Sequence, residues 1–489
     1  MRKEFYITTS IFYTNAKPHI GHLLEMVQAD VLARWRRIQG DDVFFLSGTD
    51  EHGTKIARTA EIAGKEPQQF VDEIAQQFRE LKDSFDLSWD DFIRTTDQAR
   101  HWPGVEKIWQ KLEKNGDIYE KKYRGLYCVG CETFLTEKDL VDGVCLNHKA
   151  KPELIEESNL FFRLSKYEDQ ILKLIESRKL DIQPDTRRNE MLSFVRRGLE
   201  DVSFSRSKDQ LKWGVPVPGN TDQTMYVWCD ALSNYITAIG YGRDEKEFKK
   251  WWPADIHIVG KDILRFHAVI WPAMLLSAGL PLPKSIFVHG FITAEGEKLS
   301  KSVGNVIDPV ELLEKYSSDA IRYYLLSQIP SDEDGDFNIK RFEEGYNADL
   351  ANGLGNFASR VTTLAEGQKD FKGLKLSEEI QAKIMEVVQS ATKDAERFKL
   401  HEVVASIWSL IKFGDGYINE QKPWETKDPQ VISNLVYLLD TIAGFTEPIV
   451  PEASKKIQEA IIKENGGIIG VEKIQNLFPR LPQADKDDA

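Results

Sequence analysis

Two short stretches carry polar residues in patterns that suit a phosphate. His19-Ile20-Gly21-His22 sits where a strand-like run gives way to a helical one. Two imidazoles three residues apart at a helix start point the same way, and their N–H groups can donate to phosphate oxygens. A helix N-terminus adds unpaired backbone N–H groups that favour an anion, and Gly21 lets a flat ligand face approach the backbone. On spacing alone, a pair of ordinary helix-cap histidines reads equally well, and no third ligand for a metal stands nearby. The second stretch, Lys298-Leu299-Ser300-Lys301-Ser302, lies within GEKLSKSVGN, through which no apolar face can be drawn. Lysines on such a loop reach the β- and γ-phosphates of a nucleotide only when the loop closes, so they favour the transition state over the ground state. In isolation these five residues read as a solvated turn. Their position, after a buried strand and before a capped helix, is where an open sheet keeps its ligand site.

A third pattern is Cys128-x2-Cys131 followed by Cys145-x2-His148. Four soft or borderline ligands at this spacing close a tetrahedral shell with no open position, so one structural Zn2+ is expected. Cys229 stands apart and is given no metal role. Four cysteines in 489 residues are too few for a disulfide framework and point to a reducing, cytoplasmic compartment.

The elements that must position these residues follow an α/β rhythm. EFYITTSIFY is β-rich; the helical pattern after it places Leu24, Val27, Val31, Trp35 and Ile38 on one face and stops at Gly40. DVFFLSGTD is apolar on both faces, as a buried parallel strand is, and KIARTAEIAG returns to helix. The middle of the chain breaks the rhythm and reads as an insertion. Strand and helix resume with TMYVWCDAL, then DIHIVGKD with a helix through Phe266, Ile270 and Leu275, then the strand SIFVHGFIT. Asp308, Pro309 and Glu311 start a helix expected to run through Leu312, Tyr316, Ile321 and Leu325. From about residue 341 the pattern is helical to the end, with Ile380, Ile384, Val388, Ala391 and Ala395 at helical spacing; the terminal QADKDDA is expected to fray. The length exceeds one compact core. The formal charge of −14 argues against a protein that coats nucleic acid indiscriminately, while a local basic patch is enough for a specific one. No apolar segment is long enough for a signal peptide or membrane span.

The His-Ile-Gly-His and Lys-Leu-Ser-Lys-Ser stretches together resemble the two signatures of class I aminoacyl-tRNA synthetases, with leucine where methionine is commonest in the second. TTSIFYTNAKPHIGH, FLSGTDEHG, YVWCDAL, VGKDILRFHAVIWPAML and NEQKPW narrow the resemblance to the methionyl-tRNA synthetase family, over essentially the whole chain. The resemblance implies an α/β fold: a split Rossmann catalytic domain (1–117 and 226–293), a zinc-containing connective insertion (118–225), a stem region with the lysine loop (294–340) and a helical anticodon-binding domain (341–489). It implies ATP-dependent attachment of methionine to initiator and elongator methionine tRNA through methionyl-adenylate, with Mg2+ accompanying ATP. His19, Gly21, His22, Lys298, Ser300, Lys301, Ser302, Gly260 and Asp262 map to ATP. Family members carry one or two zinc knuckles; this chain has ligands for one.

The amino-acid pocket maps onto Ile11, Tyr13, Asp50, Trp228, Ala231, Leu232, Tyr235, Ile263 and His267. The chemistry agrees: a flexible thioether packs well at aromatic edges, and Asp50 at a strand end can pair with an ammonium. Homocysteine, one methyl shorter, is rejected by only about 1–3 kcal/mol, so some editing is expected. By the same resemblance Asn356, Arg360 and Trp424 read the anticodon, the tryptophan by stacking on an unpaired base. Taken alone, Trp424 beside Pro423 reads as a hydrophobic staple. A monomer without a C-terminal dimerising domain is expected. The rivals are a class I synthetase for another apolar amino acid and a synthetase-like tRNA-binding protein without catalysis. The first is disfavoured by a middle segment too short for a large editing insertion, the second by the two intact signatures.

Overall fold

The computed structural model describes residues 2–135, 139–146, 149–294, 296–298, 306–368, 371, 376–464 and 467–482. The chain forms two compact units. The first comprises Met1–Pro18, Arg36–Lys82 and Ser88–His289, the second His19–Trp35, Asp83–Leu87 and Gly290–Ala489.

A seven-stranded sheet organises the first unit. From one edge its order is Asp181–Gln183, Ser285–His289, Ile256–Gly260, Glu4–Thr8 and Asp42–Asp50. Phe12–Tyr13 and Asp91–Arg94 both pair with the last of these, and every pairing is parallel. The strands are buried almost throughout, as the double-faced apolar run DVFFLSGTD requires. Because the strands are parallel, Thr8, Asp50 and Gly260 all reach the same edge. In open sheets of this kind ligands bind beyond those carboxyl ends. After Thr8 the chain runs on in the same direction into the short strand Phe12–Tyr13, which sets Tyr13 opposite Asp50.

The insertion is largely antiparallel. Ile118–Cys128 pairs with Glu153–Phe162 over ten residues, and Thr133–Leu135 and Val202–Ser203 extend that sheet. Asp181–Gln183, although inside the stretch 118–225, is an edge strand of the parallel sheet, paired with Ser285–Phe287. YVWCDAL departs from the expected strand rhythm: strand ends at Met225 and a helix runs Val227–Leu232.

SIFVHGFIT proves to be two strands, one in each unit. Ser285–His289 belongs to the parallel sheet, whereas Ile292–Ala294 pairs with Gly335–Phe337 and with Glu297–Lys298. The break falls at Gly290, where a Cβ would collide with the carbonyl of Glu333. The helix expected from Asp308 is likewise two, Pro309–Leu313 and Ser318–Ser327, each capped by a side chain, Asp308 and Ser317. Ile38 does not join the buried face of helix Ile20–Ile38: it is 49% exposed, while Glu25, Gln28 and Asp30 are buried. The helical region also ends differently from expectation, in a hairpin, Ile461–Glu464 with Gly467–Val471. QADKDDA lies outside the described residues.

Asp30 is buried because Arg322 is. The Arg322 guanidinium is fully enclosed, bonding Asp30 Oδ2 at 2.7 Å and the carbonyls of Ile449, Phe85 and Pro448 at 3.1, 3.0 and 2.6 Å. Arg34 also bonds Asp30, and reaches Glu447. Removing one partner of such a buried pair leaves a charge uncompensated, at a cost of about 3–5 kcal/mol. Arg322→Ala is therefore expected to lower the unfolding free energy of the second unit by that amount, read as a lower urea midpoint. An unchanged midpoint would contradict this role for the cation.

Candidate active site

Asp50 ends the central strand with one carboxylate oxygen, Oδ1, buried and without a hydrogen-bond partner among the described residues. Burial, and then the negative charges of Asp230 and Glu132, push its carboxyl well above the usual range. A buried acceptor in that state calls for a cationic donor. Most of the apolar and aromatic residues expected with it share one core. Ile11, Trp228 and Ile263 pack on the cluster that holds Leu232 and Tyr235. Trp228 and Ala231 share the helix Val227–Leu232 with Leu232. Trp228 stacks on Phe266 at 3.7 Å and 5°, with His267 edge-on at 6.3 Å. His267 Nδ1 lies 2.9 Å from the Ile263 carbonyl and Nε2 lies 2.7 Å from the Tyr235 hydroxyl. A carbonyl only accepts, so Nδ1 carries the proton and Nε2 accepts from Tyr235. All nine expected pocket residues thus fall in the first unit. Gly260 ends its strand buried, and Asp262 is exposed in the turn Lys261–Ile263 that follows.

Three residues that the sequence reading passed over hold this region together. Asp230, two residues after Trp228, takes His52 Nδ1 at 2.6 Å and His101 Nε2 at 2.8 Å. Burial opposes its ionisation, but the two imidazoles overcome that and hold the carboxyl down at about 2. His101 is fixed in turn by Thr237 at 2.7 Å. His52 and Asp230 lie inside FLSGTDEHG and YVWCDAL, yet nothing in either stretch names the other as its partner. Glu132 was also missed. It is buried, accepts from Tyr13 and from the backbone N–H of Lys55, and burial raises its carboxyl to about 7.

His19, Gly21 and His22 belong to the second unit. Ile20 N–H donates to the carbonyl of Ile307, just beyond the lysine loop. The imidazoles stack at 3.7 Å and 20°. His22 Nδ1 accepts from the backbone of His19 and His19 Nδ1 from that of Gly21, each at 3.1 Å, so the neutral rings carry their protons on Nε2. A Cβ at residue 21 would lie 3.0 Å from the His19 ring, which makes the glycine a condition of that stack. Lys298 pairs through its backbone with Thr293. Ser300, Lys301 and Ser302 lie outside the described residues.

Cys128, Cys131 and Cys145 bring their sulfurs within 4.8 Å of one another, Cys131 and Cys145 at 3.5 Å, and none forms a disulfide. Zn–S bonds of about 2.3 Å at tetrahedral angles put sulfurs about 3.8 Å apart. The cluster fits one such ion, with three thiolates. His148 lies outside the described residues.

In the helical region Asn356 is exposed and Arg360 half-buried, one turn apart on helix Asn356–Ala365. Asp415 at 2.8 Å and Asn419 at 3.0 Å hold the Arg360 guanidinium. Trp424 follows the left-handed Lys422 on the short helix Pro423–Thr426 and is 48% exposed, while Pro423 is buried. A staple would bury the tryptophan; here the indole faces solvent.

The chain matches the family described as tRNA synthetases class I (M) over residues 5–147 and 136–362. The methionine–tRNA ligase of Caldanaerobacter subterraneus is 45% identical over 478 residues, 94% of this chain and 74% of that protein. The methionine–tRNA ligase of Brucella suis is 40% identical over the full length of both. Among solved structures, Mycobacterium tuberculosis methionyl-tRNA synthetase in complex with methionyl-adenylate superposes with a TM-score of 0.92 at 36% identity, covering 98% of this chain and all of the other.

Metal analysis of the purified protein is expected to return one zinc per chain, and Cys131→Ser to abolish it. Two ions, or none, would contradict the assignment.

Proposed function

We infer the reaction from one premise: this chain belongs to the class I methionyl-tRNA synthetases. It joins methionine to its tRNA at the expense of ATP. The methionine carboxylate attacks the α-phosphorus, the bond to the bridging oxygen breaks, and pyrophosphate leaves with the electron pair. The 3′-terminal ribose hydroxyl of the tRNA then attacks the adenylate carbonyl, gives up its proton, and expels AMP. Neither step needs a protein nucleophile, so catalysis is positioning and charge stabilisation.

The observation that carries the residue assignments is the buried, unpartnered oxygen of Asp50. An α-ammonium there supplies both the missing donor and the missing charge. Ile11, Tyr13, Trp228, Ala231, Leu232, Tyr235 and Ile263 then receive the thioether side chain, and the Tyr235–His267 bond keeps both polar groups turned to each other. We assign His19 and His22 to ATP phosphate oxygens, a role supported by their Nε2 protons, together with Gly21, Gly260 and Asp262. Lys298, Ser300, Lys301 and Ser302 are assigned to the departing pyrophosphate, and Mg2+ accompanies ATP. His148 is proposed as the fourth ligand of a structural zinc. Asn356, Arg360 and Trp424 are proposed to read the anticodon, supported by an indole left in solvent. The domain limits 1–117, 118–225, 226–293, 294–340 and 341–489 stand as part of the same reading. No helix among the described residues is long and apolar enough to cross a membrane. The cysteines, none of them in a disulfide, support a reducing, cytoplasmic setting, and the monomer is the form we propose.

Methionine-dependent ATP–pyrophosphate exchange tests the reaction; protein that binds tRNA yet shows no exchange would overturn it. The Asp50 assignment has a pH signature. Its raised pKa means that the proton stays on at pH values where an ordinary aspartate, with a pKa of about 3.9, has lost it. The ammonium needs the anion, so methionine affinity should fall as pH drops through the raised value, and binding near it should release a proton. Calorimetry in two buffers of different ionisation enthalpy reads that release. Asp50→Asn should abolish it and weaken methionine about 100-fold. Trp424→Ala should impair tRNA charging and spare pyrophosphate exchange; equal losses would return the indole to a packing role.

A further inference from the structure

The cysteine knuckle is tied to the methionine pocket by one side chain. Glu132 follows Cys131 directly and adopts a left-handed backbone, φ 50°, a conformation that costs a non-glycine residue roughly 1–3 kcal/mol and persists only where its surroundings enforce it. The enforcement on one side is the knuckle turn, closed by Cys131 N–H on Cys128 Sγ at 3.4 Å. On the other side is the carboxylate, 4% exposed. Its Oε1 accepts the Tyr13 hydroxyl at 2.9 Å and the backbone N–H of Lys55, in the first turn of helix Thr54–Ile62, at 2.6 Å. Its Oε2 occupies the space of a Cβ at residue 53, which would sit 2.5 Å away; residue 53 is glycine at φ 119°. Tyr13 is the residue set opposite Asp50 in the sheet.

We propose that Glu132 is a positioning residue that fixes Tyr13 in the pocket wall and makes methionine affinity depend on the state of the cysteine knuckle. This rests on the methionine reading of the pocket. The ordered turn holds Glu132 in its left-handed conformation, and that conformation delivers the carboxylate to Tyr13. A turn released from its metal lets Glu132 relax toward ordinary backbone angles, and the Tyr13 hydroxyl loses its acceptor. The bond needs an oxygen at that place rather than a charge, because a glutamine carbonyl accepts the same two donors.

The test measures methionine and ATP dissociation constants calorimetrically for wild type, Glu132→Gln, Glu132→Ala and Tyr13→Phe. Each is measured with metal bound and after chelation, with zinc content and melting temperature followed alongside. Stripping wild type should weaken methionine about 10-fold, and Glu132→Ala with metal bound should do the same, as for other residues that orient a site through a neighbour. Stripping Glu132→Ala or Tyr13→Phe should then add less than about twofold, since the coupling is already broken. Glu132→Gln, which keeps the accepting oxygen, should retain far more methionine affinity than Glu132→Ala, with only the change that easier ionisation of Asp50 brings, and ATP should be unaffected throughout. Stripped wild type with full methionine affinity would overturn the proposal. So would Glu132→Ala losing methionine and ATP equally, because that marks a general structural role. Tyr13→Phe changes no shape and carries the test if Glu132→Ala folds poorly. Wild type that fails to bind methionine with metal in place would overturn the pocket reading itself.

Discussion

A carboxylate buried in protein must find donors or give up its charge, and the first unit is arranged around one that finds two. Asp230 receives His52 from the end of the central strand and His101 from the start of helix Trp102–Lys114. Asp230 itself lies on the helix that carries Trp228, Ala231 and Leu232. Three elements distant in sequence are thereby locked at one point. Losing any member would leave a buried polar group uncompensated, which ranks among the costliest defects a core can carry.

The same neighbourhood holds a second carboxylate with the opposite fate. Asp50 is buried like Asp230, yet among the described residues its Oδ1 has no donor and its carboxyl is pushed up, while that of Asp230 is held at about 2. Environments that drive two like groups apart separate structural from functional roles. The satisfied carboxylate fixes the scaffold, and the other is the one we propose for the substrate's ammonium. Glu132 stands between these cases: it is satisfied by Tyr13 and Lys55, but through a backbone conformation that the knuckle must maintain.

Charge balance in the second unit follows the same rule with the signs exchanged. Arg322 is wholly enclosed and is matched by Asp30 and three carbonyls. That match explains why helix Ile20–Ile38 carries polar residues on faces that periodicity marks as outward. A pattern of apolar residues cannot announce a buried ion pair, because the partner comes from a helix almost 300 positions away. Ile38 failed for the converse reason: periodicity extends a face to the last turn, whether or not anything covers it.

A good deal of this was legible in the order of residues. Double-faced apolar runs specified parallel strands, Gly40 ended a helix, and the cysteine spacing marked out three thiols that gather closely enough to hold one ion; each of these is a local matter of sterics, burial or ligand reach. Two signatures and several spaced motifs were enough for the family. Only the tertiary structure decided that SIFVHGFIT breaks at Gly290, because the obstructing carbonyl belongs to Glu333. It alone brought His52 and His101 to Asp230, joined Asp181–Gln183 to the parallel sheet, and carried Glu132 to Tyr13. Those pairings depend on groups 40 to 180 residues apart, and a one-dimensional pattern holds no record of which distant donor will meet which buried acceptor.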